Sequence, residues 1–376
     1  MKKSLLALAV LGAFAGAASA QSSVTVYGIV DLGFDHTDNG ATAGSVNGIK
    51  SGGQSASRIG FKGTEDLGGG LNAVFQLEGT IAADTGTMGA TSTTTAAGTP
   101  LAYTTTTTSN VFNRIATVGL QSAAFGTVNL GRQTSVIKDA YDQIDPFGDG
   151  GTIAPLSTVF FNGALAGDNG RVSNAVKYST PSFGGFKFAG SYAFGEAAGD
   201  TGANSAYGLG AGYANGPLNV QFAYNNVDIS TGSATVPAVQ TGENKLMFLG
   251  ATYNFGVVKL HGAYADTKNE TTATGAEVKY RNYLAGVSVP LGAAGNLFAS
   301  YSVNDNRTTA NADAKKAAIM YTYDLSKRTN LYTGYSRTSN DSGTGAAGSG
   351  SRIGLAASAP AGESASSFNV GVRHKF

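Results

Sequence analysis

The chain predicts an all-β fold, a closed antiparallel barrel of sixteen strands that crosses a membrane. Three observations lead there. An export leader is followed by no apolar run long enough for a spanning helix, segments of about nine to eleven residues alternate apolar with polar, and the connections between them are short and long in turn.

The leader is "MKKSLLALAVLGAFAGAASA", with Lys2 and Lys3, an apolar stretch from Leu5, and Ala18-Ser19-Ala20 before Gln21. It predicts a signal peptide over 1–20, cleaved after Ala20, and one barrel domain over 21–376. Removing the two leader lysines turns the formal +1 into −1, a near-neutral balance that argues against a nucleic-acid partner. The absence of cysteine excludes disulfides and thiolate metal sites, so stability must come from hydrogen bonding and packing. The 54 glycines, about twice the average usage, lie along the whole chain beside 17 Tyr and 19 Phe, a composition of sheets and turns.

The first strand is "VTVYGIVDLGF". Val24, Val26, Gly28, Val30, Leu32 and Phe34 share one face, and Thr25, Tyr27, Asp31 and Asp35 share the other. The same pattern predicts strands over 24–35, 57–65, 71–79, 112–121, 127–134, 171–180, 185–195, 205–214, 217–226, 245–254, 257–266, 280–289, 296–304, 315–323, 330–337 and 367–376. Tight turns such as "DLGGG", "PSFGG", "ANGP" and "DLSKRT" alternate with long polar connections at 36–56, 80–111, 135–170, 227–244 and 338–366. Short turns on one side and long loops on the other describe an outer-membrane barrel. The last strand alternates to the terminal Phe376, with Phe368, Val370, Val372 and His374 on one parity. If it pairs with the first strand, no edge is left in lipid and Phe376 joins the aromatic girdle at the periplasmic interface.

Six ordered segments resemble the general diffusion porins of Gram-negative outer membranes, most closely the beta-proteobacterial branch. They are "SVTVYGIVDLGF", "SRIGFKGTEDLGGGLNAVFQLE", "FGTVNLGRQ", "RVSNAVKYSTPSFGGFKFAGSY", "LSKRTNLYTGYS" and "VGVRHKF". The resemblance implies a homotrimer of sixteen-stranded barrels, each with a water-filled pore narrowed by an inward-folded third loop at about 135–170. "DQIDPFGDGG" is similar to the acidic segment of that loop, and the Thr-rich 80–111 corresponds to the loop that latches a neighbouring subunit.

Alternation then places charges. Ile59 and Phe61 share the apolar parity, so Arg58 and Lys62 point into the lumen; Val172, Val176 and Tyr178 face out, so Arg171, Ser173 and Lys177 face in. Arg132 shares its parity with Val128 and Leu130, and Arg114 lies at a strand end, so only the resemblance puts these two in the pore wall. Opposite stand Asp139, Asp142, Asp145 and Asp149 of the third loop. Arginines facing carboxylates set a transverse field across the narrowest part. The plainer reading is of solvated charges at the rim.

Catalytic readings find little support. "SVIK" at 135–138 matches an S-x-x-K pattern, but no companion motif follows and no helix is expected around it. His36, on a loop, His261, mid-strand, and His374, near the end of the chain, have no metal-ligand spacing. "GLGAGYANG" lies inside an alternating strand with no helix to follow. The expectation is therefore a passive outer-membrane channel for ions and small hydrophilic solutes, weakly anion-selective, with no cofactor and no enzymatic activity. The alternative is a substrate-specific channel on the same barrel. Small faces at Gly28, Gly60 and Ala116 suit barrel-to-barrel packing.

Overall fold

The computed structural model describes residues 23–40, 44–91, 109–148, 170–197, 199–233, 236–271, 275–342 and 362–376. The leader, most of the Thr-rich run and Asp149 lie outside the described residues. The chain enters as β1 (Ser23–Asp38), followed by β2 in two pieces, β2a (Ser45–Ser51) and β2b (Arg58–Gly68), and by β3 (Leu71–Ala82). β4 (Ile115–Ser122) and β5 (Gly126–Thr134) lead into a short helix, α1 (Val136–Asp142). Beyond it come β6 (Arg171–Ser179), β7 (Phe186–Ala193), β8 (Ala206–Asn215), β9 (Leu218–Ser233), β10 (Val236–Asn254) and β11 (Lys259–Thr271). The last five strands are β12 (Ala276–Leu291), β13 (Gly295–Asn306), β14 (Ala314–Asp324), β15 (Thr329–Asn340) and β16 (Ser364–Lys375).

Each strand pairs antiparallel with its sequence neighbours, and β16 pairs back on β1 from Ile29↔Lys375 to Asp38↔Ser366. Counting β2a and β2b as one crossing, the described residues make sixteen crossings of one closed sheet. Closure leaves no unpaired row of N–H and C=O groups facing lipid, where each would cost several kcal/mol. The short turns use chemistry suited to them. Gly68, Gly69 and Gly70 all take positive φ (+85°, +62°, +77°), which a β-carbon would oppose.

Two faces follow from the alternation. On β10, Met247, Leu249 and Tyr253 are exposed on the outer surface while Leu246, Phe248 and Thr252 are buried on the inner one. On β16, Phe368, Val370 and Val372 face out and Asn369 is buried. The closing seam is held from the inside by two carboxylates of β1. Asp31 accepts from the Tyr332 hydroxyl at 2.6 Å and from the backbone N–H groups of Gln54 (3.0 Å) and Ser55 (2.6 Å). Asp35 accepts from Lys50 Nζ at 2.7 Å and Ser367 Oγ at 2.9 Å. One strand thereby bonds to β2a, to the 52–57 break, to β15 and to β16, and the charge-assisted bonds offset the desolvation of the carboxylates.

Four local expectations are corrected. The polar stretch 227–244 is mostly strand, since β9 and β10 stay paired to Ser233↔Val236, and 36–56 contains the end of β1 and all of β2a. His36 therefore sits on a strand, bonded to Asn47 Oδ1 at 2.7 Å. Above the membrane both faces meet water, so pairing continues while the apolar alternation that signals a strand disappears. Second, "SVIK" does open a helix. Ser135 caps it by accepting from the Lys138 N–H at 3.3 Å, and the helix is too short to show a period.

Third, Val172 faces in. Pairing runs Val172↔Gln133 and then Ala175↔Gly131, so Ser173 and Asn174 together oppose Arg132 as a bulge, with Asn174 at φ 55°. Val172 accordingly packs with Ala175, Ala193 and Ala206. Fourth, Gly28 and Gly60 do not offer bare patches to another barrel: the ring of Phe376 covers Gly28 and the ring of Tyr27 covers Gly60.

Candidate functional site

The chemistry-bearing residues gather on the inner face of β1–β6 and on 135–148. Glu78 of β3 is a hub. Its carboxylate meets Arg114 Nε at 2.5 Å and the Tyr27 hydroxyl at 2.9 Å, with Arg58 at 3.9 Å. Gln76 donates to the Tyr27 hydroxyl at 2.6 Å, and the Lys62 ammonium lies 5.3 Å from the Tyr27 ring centroid. Inward register explains the cluster: Tyr27 pairs with Gly60 and Gly60 with Glu78, so the glycine makes room for the phenol between two strands.

Arg132, ambiguous by parity, sits opposite the bulge; its Nε donates to the Asn113 carbonyl at 2.6 Å and its Nη1 to Ser173 Oγ at 2.9 Å. Arg171 opens β6 with its side chain buried. The aspartates each have a near partner. Asp139 meets Lys177 Nζ at 2.7 Å, Asp142 meets Lys138 Nζ at 2.9 Å, and Asp145 accepts from the Phe147 N–H at 3.0 Å. Glu78 and Lys138 are thus charges of this region, although the sequence drew attention to Lys138 only within the S-x-x-K pattern. Glu78 comes to the inner face through its pairing with Gly60, whereas the place of Lys138 becomes legible only once α1 is known. The Ser135–Lys138 pair is structural: the hydroxyl caps α1, and the Lys138 amine is held by Tyr141 at 3.0 Å and by Asp142.

The segment 135–148 packs against inner-parity side chains. Val136, Ile137, Ala140, Tyr141 and Ile144 cluster with Ala223, Leu246, Phe248, Ala265 and Leu284, while Phe147 packs with Ala318, Met320 and Tyr332. Three glycines provide the seat. A β-carbon on Gly210 would collide with Val136, one on Gly250 would come within 2.8 Å of Ile144, and one on Gly286 within 2.8 Å of Pro146. His261 ties the segment to the wall, with Nδ1 2.7 Å from the Ile144 carbonyl oxygen and Nε2 2.9 Å from Ser288 Oγ. Beside α1 a cavity of about 620 Å³ remains, bounded among others by Asn72, Gln121, Asp139, Gln143, Lys187 and Gln221. These polar groups stand among an otherwise largely apolar lining that includes Val136, Ala140 and Ala189.

A closed barrel with charged inner and apolar outer faces is the architecture of an outer-membrane channel, and comparison with known proteins agrees. The family model described as Gram-negative porin matches residues 7–343. The chain belongs to the Gram-negative porin family. This porin is 36% identical over 389 residues to outer membrane porin protein 32 of Delftia acidovorans, covering 100% of both chains. It is 35% identical to an outer membrane porin protein of Bordetella pertussis, covering 88% of this chain and 93% of that one. Among solved structures, an anion-selective porin from Comamonas acidovorans superposes with a TM-score of 0.75 at 33% identity, covering 95% of this porin and 100% of that one. Its place is the cell outer membrane.

Proposed function

We propose that this porin forms a water-filled channel for passive diffusion of ions and small hydrophilic solutes, with 135–170 folded inward as its constriction and a weak preference for anions. The reading is supported by the packing of 135–148 on inner-parity residues of the closed sheet and by the ion pair of Asp139 with Lys177 of β6; Asp142 and Asp145 belong to the proposed constriction with it. Arg58, Lys62, Arg114, Arg132, Arg171 and Lys177 outnumber Glu78 and the three loop carboxylates. An excess of fixed positive charge in a narrow, low-dielectric-walled passage raises the local anion concentration. The anion-selective porin from Comamonas acidovorans, similar over nearly the whole chain, supports the same sign. Asp149 belongs to this proposal as a further loop carboxylate. Phe376 is proposed as a girdle residue at the periplasmic end, and the assembly as a homotrimer.

On this reading the protein is a channel and not an enzyme. Single-channel conductance in a planar bilayer, with reversal potentials in a salt gradient, tests it. Discrete open steps and a small reversal potential of anionic sign are expected; no conductance, or a clear cation preference, overturns the proposal.

A further inference from the structure

Arg132, Lys138 and Lys177 are committed cations: Arg132 donates to Asn113 and Ser173, Lys138 holds Asp142, and Lys177 holds Asp139. Lys187 of β7 is not, for it has no ion-pair or hydrogen-bond partner among the described residues. Register fixes where it points. Lys187 pairs with Gly212 and Gly212 with Gln221, whose Nε2 donates to Gln143 Oε1 at 3.1 Å, so this row lies on the inner face. Two residues on, Ala189 packs against the α1 cluster. Lys187 thus stands at the cavity of about 620 Å³ beside α1, at its short-turn end, just after the connection 180–185.

The wall of this cavity changes character along a single register row. Asn72, Gln121, Thr127 and Ser179 follow one another across β3–β6, and the row goes on through Ala189 and Gly210 of β7 and β8. Its first part offers amides and hydroxyls, and the side-chain amides of Asn72 and Gln121 have no hydrogen-bond partner among the described residues. Its second part is apolar and lies under α1, which adds the buried Val136 and Ala140 to the lining. The carboxylate of the lining, Asp139, is already held by Lys177 at 2.7 Å and by the Thr134 hydroxyl at 2.5 Å.

An apolar seat beside one uncommitted ammonium and free amide donors is complementary to a single anionic group on an apolar body. A carboxylate on Lys187 Nζ would form a charge-assisted hydrogen bond, and the body would leave water against Val136, Ala140 and Ala189. A second carboxylate would be repelled by Asp139. The volume falls inside the roughly 300–1,000 Å³ of small-molecule sites. We propose that the cavity beside α1 binds small monocarboxylates with an apolar body, the carboxylate at Lys187 and the body on Val136, Ala140 and Ala189. This deepens the channel reading and rests on it, because an occupant stands in the passage and obstructs ion flow.

The test titrates the full folded protein in detergent micelles with benzoate, acetate and benzamide, binding being read by saturation-transfer NMR. Benzoate should bind about tenfold more tightly than acetate, which lacks the apolar body, and than benzamide, which lacks the charge. Lys187→Gln should weaken benzoate about tenfold. Ala189→Leu, which fills the seat and leaves every charge in place, should weaken it as well; if that variant does not fold, Lys187→Gln decides alone. The control Lys259→Gln removes another inward cation of the short-turn end, outside the cavity, and should bind benzoate as wild type does. The proposal is overturned if benzoate binds no better than acetate or benzamide, if Lys187→Gln or a folded Ala189→Leu binds it as wild type does, or if Lys259→Gln loses as much. In a planar bilayer, benzoate should lower the open-channel current of wild type and leave that of Lys187→Gln unchanged. Benzoate binding through Lys187 in a barrel without conductance would refute the channel reading and leave the site standing, and conductance without benzoate binding would do the reverse.

Discussion

Gly28 and Phe376 lock β1 to the residue that follows β16. The Gly28 N–H donates to the Phe376 carbonyl at 3.1 Å, the Phe376 N–H donates to the Gly28 carbonyl at 3.1 Å, and the phenyl ring lies over the Gly28 α-carbon. A β-carbon at 28 would meet that ring and stand 2.6 Å from the Arg58 carbonyl oxygen, which backbone pairing holds in place. Gly28→Val is therefore expected to destabilise barrel closure by about 1–3 kcal/mol, as overpacking does. The measurement is the temperature at which the folded species is lost on heating in detergent. Phe376→Ala should lower it less, because the backbone pair survives, and an unchanged midpoint for Gly28→Val would count against the lock.

Selectivity should respond in opposite directions to changes at one hub. Glu78 offsets Arg114 and, more distantly, Arg58. Glu78→Gln is expected to move the reversal potential further toward anions, and Arg58→Ala with Arg171→Ala to move it away from them. Coincident reversal potentials for wild type and both variants would remove these charges from any role in selectivity.

The glycine seat gives a prediction about the loop. Gly250→Val would push Ile144 off β10, where the gap to an added β-carbon is already 2.8 Å. The variant should still fold, since the sheet register is untouched, but its open-channel current should be noisier and altered in size. His261→Ala should act in the same direction at a cost of about 1–2 kcal/mol, by removing the bond to the Ile144 carbonyl. Quiet, wild-type currents from both variants would show that 135–148 does not bound the passage.

Assembly is expected to be insensitive to Gly60. Because Tyr27 fills the space over that glycine from inside the barrel, Gly60→Ala should disturb Tyr27 and Glu78, and hence conductance. The trimer yield on cross-linking in mild detergent should stay at the wild-type level. A fall in trimer with conductance unchanged would return Gly60 to an interface.

All sixteen crossings were legible in the chain because lipid on one side and water on the other impose a period of two on every strand, and that period survives without any knowledge of neighbours. The same rule placed Arg58, Lys62 and Lys177 on the inner face. It failed at Val172, where one extra residue in a bulge reverses the parity, and over 227–244, where water on both faces erases the pattern while hydrogen bonding goes on. What only the tertiary structure decided is which inner groups meet. Arg114 reaches Glu78 across 36 residues of chain and Tyr332 reaches Asp31 across 301, distances at which local pattern carries no information. The α1 segment and the residues after it find their seat because Gly210, Gly250 and Gly286, far apart in sequence, come to the inner face of the alternate strands β8, β10 and β12. Alternation determines the side on which a residue lies; register and closure determine its partner, because pairing in a barrel is set by the whole sheet at once.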